Sequence, residues 1–229
     1  MTTFTNQCAQ DLCKNGETCV IVPDGFTEIA EKAFIFFKIK EIVLPKSVYT
    51  IGRLAFRETD LEKIQLHENI CTVERFAFTK CERMKVADLR ACSKLTRIEE
   101  YTFCSCDKLT NVYLPPYVSA IGISAFELSG LEKIHIPDTV TYLGCLCFCG
   151  CSSLQEVTIS ESVTRLFRDS FSNCDLREVY IPDSVTSLGE YCFKSNENLT
   201  RVSIPVGVTR METGVFKDCG KLAEIIIRL

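Results

Sequence analysis

The chain has 229 residues, 46% of them hydrophobic, with 26 basic against 30 acidic side chains, a net charge of −4 and a pI near 5.4. That balance lacks the basic stripe of a nucleic-acid-binding surface. No run of about 20 apolar residues is available to span a membrane. Fifteen cysteines are the compositional oddity. The number is odd, so at least one thiol stays free or pairs with another chain.

Residues 1–21 carry Cys8, Cys13 and Cys19 but none of the pattern that follows, and they are expected to form an irregular N-terminal cap. Their start shows neither a positive n-region nor an apolar h-region, so no signal peptide is expected and the chain is placed in the cytoplasm. The fifteen cysteines then read as reduced thiols used as small core residues.

From residue 22 to 229 one unit recurs. Its marker is a phenylalanine, at 34, 56, 78, 103, 126, 148, 171, 193 and 216. The intervals of 22 to 25 residues are those of a leucine-rich-repeat solenoid, in which each unit adds one strand to a stacked parallel sheet. The fold expected is therefore an α/β-type solenoid of about nine repeats, with a parallel sheet on one face and short helical turns or loops on the other.

Each unit has two halves. The strand half reads as at Leu131-Glu132-Lys133-Ile134-His135-Ile136-Pro137. Ile134 and Ile136 point to one face, and Lys133 and His135 to the other. Proline ends pairing because it has no donor for the ladder. It stands at 45, 115, 137, 182 and 205, and His67, Arg90, Ser160 and Arg228 replace it elsewhere. The second half reads as at Val140, Leu143, Cys147 and Phe148, a spacing that suits a short helical turn with one buried stripe. Glycine at 52, 122, 144 and 189 alternates with Ala30, Glu74, Glu99, Phe167 and Glu212, so the position does not require a positive φ. Two extra residues between Leu89 and Phe103 make 86–93 the least regular stretch, and a bulged loop is expected there.

Units such as Ile-Pro-Asp-Ser-Val-Thr-Ser-Leu-Gly-Glu-Tyr-Cys-Phe (181–193) and Ile-Pro-Asp-Thr-Val-Thr-Tyr-Leu-Gly (136–144) resemble the BspA-like leucine-rich-repeat family over residues 22–229. The resemblance implies binding rather than catalysis. It also implies, from members found at bacterial and protist surfaces, an alternative role as a cell-surface or secreted adhesin for host protein or glycan.

The outward strand positions form two columns. From them the candidate binding face is Lys63, Gln65, Tyr113, Lys133, His135, Thr158, Glu178, Tyr180 and Arg201. Tyrosine offers large contact area at low entropic cost. The expected partner is a protein, and no cofactor is called for. The strand at 223–229 ends without a cap, and its edge is expected to invite homodimerisation.

Cys145, Cys147, Cys149 and Cys151 alternate in a way that suggests a metal cluster. Cys147 and Cys151 are accounted for by repeat position, so no metal site is assigned. Cys81 with Cys106, and Cys151 with Cys174, stand at matching positions of successive turns. Free thiols are favoured over disulfides there. His67 and His135 have no motif partners, and neither H-E-x-x-H nor G-x-S-x-G occurs, so no catalytic residue is assigned.

Overall fold

The computed structural model describes residues 2–229 as a parallel-strand solenoid of about ten turns with little helix. Two rows of strands run along it. The main row holds β1 (Cys19–Ile21), β2 (Glu41–Val43), β3 (Lys63–Gln65), β4 (Val86–Asp88), β5 (Asn111–Tyr113), β6 (Lys133–His135), β7 (Glu156–Thr158), β8 (Glu178–Tyr180), β9 (Arg201–Pro205) and β10 (Glu224–Arg228). The second row consists of two-residue strands such as Thr50–Ile51 and Ala120–Ile121. Residues 2–21 hold one helix, α1 (Asn6–Leu12), and also supply β1, the strand on which the main row starts.

Of the two forms expected for the second half of the repeat, loops are what forms. The stretch around each Phe is a chain of tight turns in which left-handed residues stand two before and two after the ring. Leu54 and Glu58 flank Phe56 in this way, and Phe76 and Lys80 flank Phe78. Only two glycines, Gly150 and Gly214, occupy these positions. A side chain in this conformation costs roughly 1–2 kcal/mol. What holds it there is hydrogen bonding between repeats. Every Phe amide from Phe34 to Phe193 donates to a carbonyl of the next repeat at 2.7–3.0 Å. At the other end Asn6 donates its amide to Lys32 O (3.2 Å) and Ala33 O (3.0 Å), covering the first turn.

The phenylalanines stack as one column through the core. Centroids are 5.2 Å apart between Phe34 and Phe56 and 5.7 Å between Phe193 and Phe216, with rings nearly parallel. Phe4, in the cap, joins the column at 5.2 Å from Phe34. Glycine at 52, 122, 144 and 189 lacks a positive φ, as expected, yet it has a steric reason. A Cβ on Gly144 would lie 2.5 Å from the backbone nitrogen of Ile123 in the repeat before.

The irregularity expected as a bulged loop at 86–93 lies in the connection after the strand and not in the strand itself. β4 is regular and pairs on both sides, and the two extra residues become an additional turn at Ser93-Lys94. Buried Cys92 fills the space this creates, its thiol donating to His67 O at 3.4 Å.

Cysteines three positions after Phe have a shared task. The thiols of Cys81, Cys106, Cys151, Cys174 and Cys219 each donate to the carbonyl of the preceding repeat's Phe at 3.1–3.2 Å. Asn196 fills the same position and donates to Phe171 O at 2.9 Å. All fifteen cysteines are unpaired thiols.

Candidate functional site

The main row is not one continuous ladder. β2 and β3, β5 and β6, and β7 and β8 do not pair, whereas every other consecutive step does. At the paired steps the residue after each strand donates to the next repeat, as Leu89 does to Tyr113 O (2.9 Å) and Ile136 to Thr158 O (2.9 Å). The three open steps lack that bond.

The sequence carries part of the signal: every open step follows a five-residue interval, although Phe34 to Ile39 is also five and β1 and β2 pair. Phe56 to Leu61, Phe126 to Leu131 and Phe171 to Leu176 are five residues apart, whereas Phe78 to Met84 and Phe103 to Leu109 are six. The six-residue connections contain a turn closed by Met84 N–H to Cys81 O (3.0 Å) or Leu109 N–H to Cys106 O (2.9 Å). Each open step leads into a repeat that has lost this turn. The strand before the opening then covers its central aliphatic less well. Ile42, Val112 and Val157 are half-buried, while Ile64 and Val179 at the same position are buried.

The nine candidate residues divide among these features. Tyr113, Lys133, His135 and Thr158 line a depression of about 480 Å³ at the β5/β6 opening. Glu178, Tyr180 and Arg201 line a second, of about 510 Å³, at β7/β8. Lys63 and Gln65 stand exposed on β3, apart from both, with Lys63 at 3.4 Å from Glu41.

Two arginines escaped the sequence reading although their place in it was informative. Both occupy positions where proline usually ends the strand. The Arg90 guanidinium lies 4.2 Å from the Tyr113 ring centre and is fixed to Asp88 through two contacts of 3.0 and 2.6 Å. Arg90 holds the Asp88 carboxyl below the usual carboxylate range. Arg228 lies 3.8 Å from Tyr180, reaches Asp183 at 2.5 Å and donates to Ile181 O at 2.6 Å. Tyr113 and Tyr180 are thereby each backed on one side by a clamped cation. The other replacements also bond back along the solenoid. His67 Nε2 contacts Pro45 O at 3.0 Å, and Ser160 Oγ donates to Val140 O at 2.6 Å.

Among the described residues no three His, Cys, Asp or Glu side chains converge to hold a metal. Burial pushes the Cys147 thiol well above its ordinary value and that of Cys151 up to about 12. Within the described residues no helix is long and apolar enough to cross a membrane. At the C-terminal end β10 pairs with β9 alone, and Ile225 and Ile227 are exposed.

A family model, the BspA-type leucine-rich-repeat region, matches residues 27–148 and 119–228 with six copies. The chain belongs to this family. Solved structures with the same fold include a leucine-rich cell-surface protein from Faecalibacterium prausnitzii, at 23% identity and a TM-score of 0.58 over 92% of this chain and 60% of that one. The leucine-rich-repeat protein of T. pallidum has 23% identity and a TM-score of 0.52, over 90% of this chain and 78% of that one. The pneumococcal vaccine antigen PcpA has 19% identity and a TM-score of 0.51, over 92% and 68%. This BspA-type chain thus spans about 60% of the length of the Faecalibacterium protein. No curated protein matches the sequence.

Proposed function

We propose that this BspA-type solenoid is a non-enzymatic protein-binding module that engages its partner through the main strand face. The observation that carries the reading is the pair of exposed, arginine-clamped tyrosines, Tyr113 and Tyr180, each set beside an opening in the sheet. Binding hot spots favour large aromatic side chains held in place before the partner arrives. The test is hydrogen–deuterium exchange on the protein with a partner recovered from its native cells by crosslinking. Protection on the repeats around Tyr113 and Tyr180, lost in the Tyr113→Ala/Tyr180→Ala double variant, supports the reading. Protection confined to the turn side around Phe36 and Leu128 would refute it.

The thiols bear on the compartment. Five of them serve as hydrogen-bond donors to buried carbonyls, a task that only the reduced form performs, and this favours an intracellular scaffold. The alternative, a surface adhesin, draws on the family and on similar structures described as a cell-surface protein and a vaccine antigen. Alkylation of material from native cells followed by intact mass separates the two. Fifteen labelled cysteines support the intracellular scaffold, and paired ones move the reading to the surface. Self-association through β10 belongs to the same reading. Sedimentation showing a monomer at high concentration would remove it.

A further inference from the structure

Resting on the strand-face reading above, we propose that the β5/β6 and β7/β8 openings receive two side chains of one extended partner segment in polyproline II conformation. The segment lies along the solenoid axis. The side chain entering at β5/β6 carries a carboxylate, and the other, three residues away, is apolar.

Spacing is the first argument. The centres of the two openings are two repeats apart, at least roughly 9.6 Å at about 4.8 Å per paired step. A polyproline II helix rises about 3.1 Å per residue and turns fully in three, so side chains at i and i+3 leave the same face about 9.3 Å apart. A regular β-strand repeats its face at about 6.7 Å or 13 Å, which matches neither opening to the other.

Geometry also decides how the segment sits. A whole strand inserted between β5 and β6 needs about 9.6 Å between them. The same two repeats stack Phe103 on Phe126 at 5.5 Å and pair their second-row strands Arg97–Ile98 and Ala120–Ile121. There is room for a side chain and not for a strand. The segment therefore lies over the sheet, across Tyr113 and Tyr180, as proline-rich segments lie on aromatic grooves elsewhere.

Charge assigns the anchors. The β5/β6 depression is lined by two cations, Arg90 and Lys133, with the imidazole of His135 and one carboxylate, Glu156, the cross-strand neighbour of Lys133. Arg90 is held by Asp88, but Lys133 has no ion-pair partner within 4 Å among the described residues. An incoming carboxylate supplies that partner. At β7/β8 Arg177 and Arg201 are balanced by Glu156 and Glu178, and Arg201 is already bound to Glu224 at 2.6 Å. Half-buried Val157 and the Tyr180 ring leave that opening suited to an apolar group.

The probes are fluorescein-labelled proline-rich octapeptides carrying one Glu and one Leu, in both orders, at separations of two, three and four residues, read by fluorescence anisotropy. The separation of three is expected to bind at least about tenfold more tightly than two or four in one of the two orders. Lys133→Gln, which alters only an exposed side chain, and Tyr113→Ala are each expected to weaken it about tenfold. Lys217→Ala on the turn side should leave it unchanged, and replacing the peptide's Glu by Gln should abolish the salt dependence. Equal binding at all separations, insensitivity to Lys133→Gln, no binding by any peptide, or preferential binding of hyaluronan would each overturn the proposal. A native partner that needs Tyr113 and Tyr180 but is not displaced by the peptides would overturn it while leaving the strand-face reading intact.

Discussion

Phe126 tests whether the aromatic column is what joins neighbouring repeats. Its ring is fully buried between Phe103 at 5.5 Å and Phe148 at 5.4 Å, nearly parallel to both. Removing a buried Phe side chain forfeits about 2–3 kcal/mol of transfer free energy. Each of its two stacked contacts adds about 1 kcal/mol. Phe126→Ala should therefore destabilise by about 4–5 kcal/mol, the upper part of the range for such truncations. Phe216 supplies the internal comparison. It is half-buried and stacks on one side only, 5.7 Å from Phe193. Its truncation should cost about 2 kcal/mol, half the transfer gain and one contact. Urea denaturation of both variants gives the two values, and hydrogen exchange shows where protection is lost. Each repeat touches its neighbours, so the Phe126 loss should centre on the repeats between Phe103 and Phe148. Equal costs for the two truncations, or uniform loss of protection over the chain, would refute the reasoning.

The turn ribbon gives a second expectation: Lys80, with φ of 58°, should become slightly more stable as Lys80→Gly and lose about 1–2 kcal/mol as Lys80→Val, measured by urea midpoints. Cys106 donates its thiol to Phe78 O, so Cys106→Ala should cost about 1–3 kcal/mol by leaving that buried carbonyl unpaired, whereas Cys106→Ser, which keeps a donor, should cost less. A larger loss for Ser than for Ala would show that the thiol matters only as apolar volume. His67 is held below its ordinary pKa of 6.5, chiefly by burial. Between that lowered value and 6.5 the unfolded chain binds the proton more readily, so stability should fall as pH drops below about 6.5. His67→Gln should flatten that part of the melting-temperature profile, and an unchanged slope would rule out His67 as its cause.

The repeat, its strands and the two outward columns were legible because side chains alternate strictly along a strand and Phe recurs at a near-fixed interval. Three features were not read, for different reasons. Phe4 joins the aromatic column from outside the repeat pattern, 30 positions before Phe34, and no period points to it. The left-handed pair flanking each Phe leaves no compositional trace, because Lys, Leu, Glu, Tyr, Ser and Phe all occupy it. Hydrogen bonds between repeats, not local preference, set the backbone there. The openings in the sheet, by contrast, were partly written in the sequence: each follows an interval of five rather than six residues between Phe and the next aliphatic, an interval that Phe34 and Ile39 share at a step that stays paired. Arg90 and Arg228 at proline positions marked the tyrosines that they clamp.

These features bear on one another. A ladder interrupted at three steps would ordinarily weaken a solenoid, since each repeat is held only by its neighbours. The turn ribbon prevents this. Across the β5/β6 step Tyr101, Phe103 and Ser105 donate to Ile123 O, Ala125 O and Glu127 O at 3.0, 2.8 and 2.7 Å, and across β7/β8 Leu146, Phe148 and Gly150 donate to Arg168 O, Ser170 O and Ser172 O at 3.0, 3.0 and 2.8 Å. Continuity along the axis is carried on the Phe side, at the cost of left-handed backbone at two positions per repeat. The strand side is thereby released from that duty. It can open where a connection loses one residue without parting the repeats, and it opens beside the two tyrosines most suited to meet a partner.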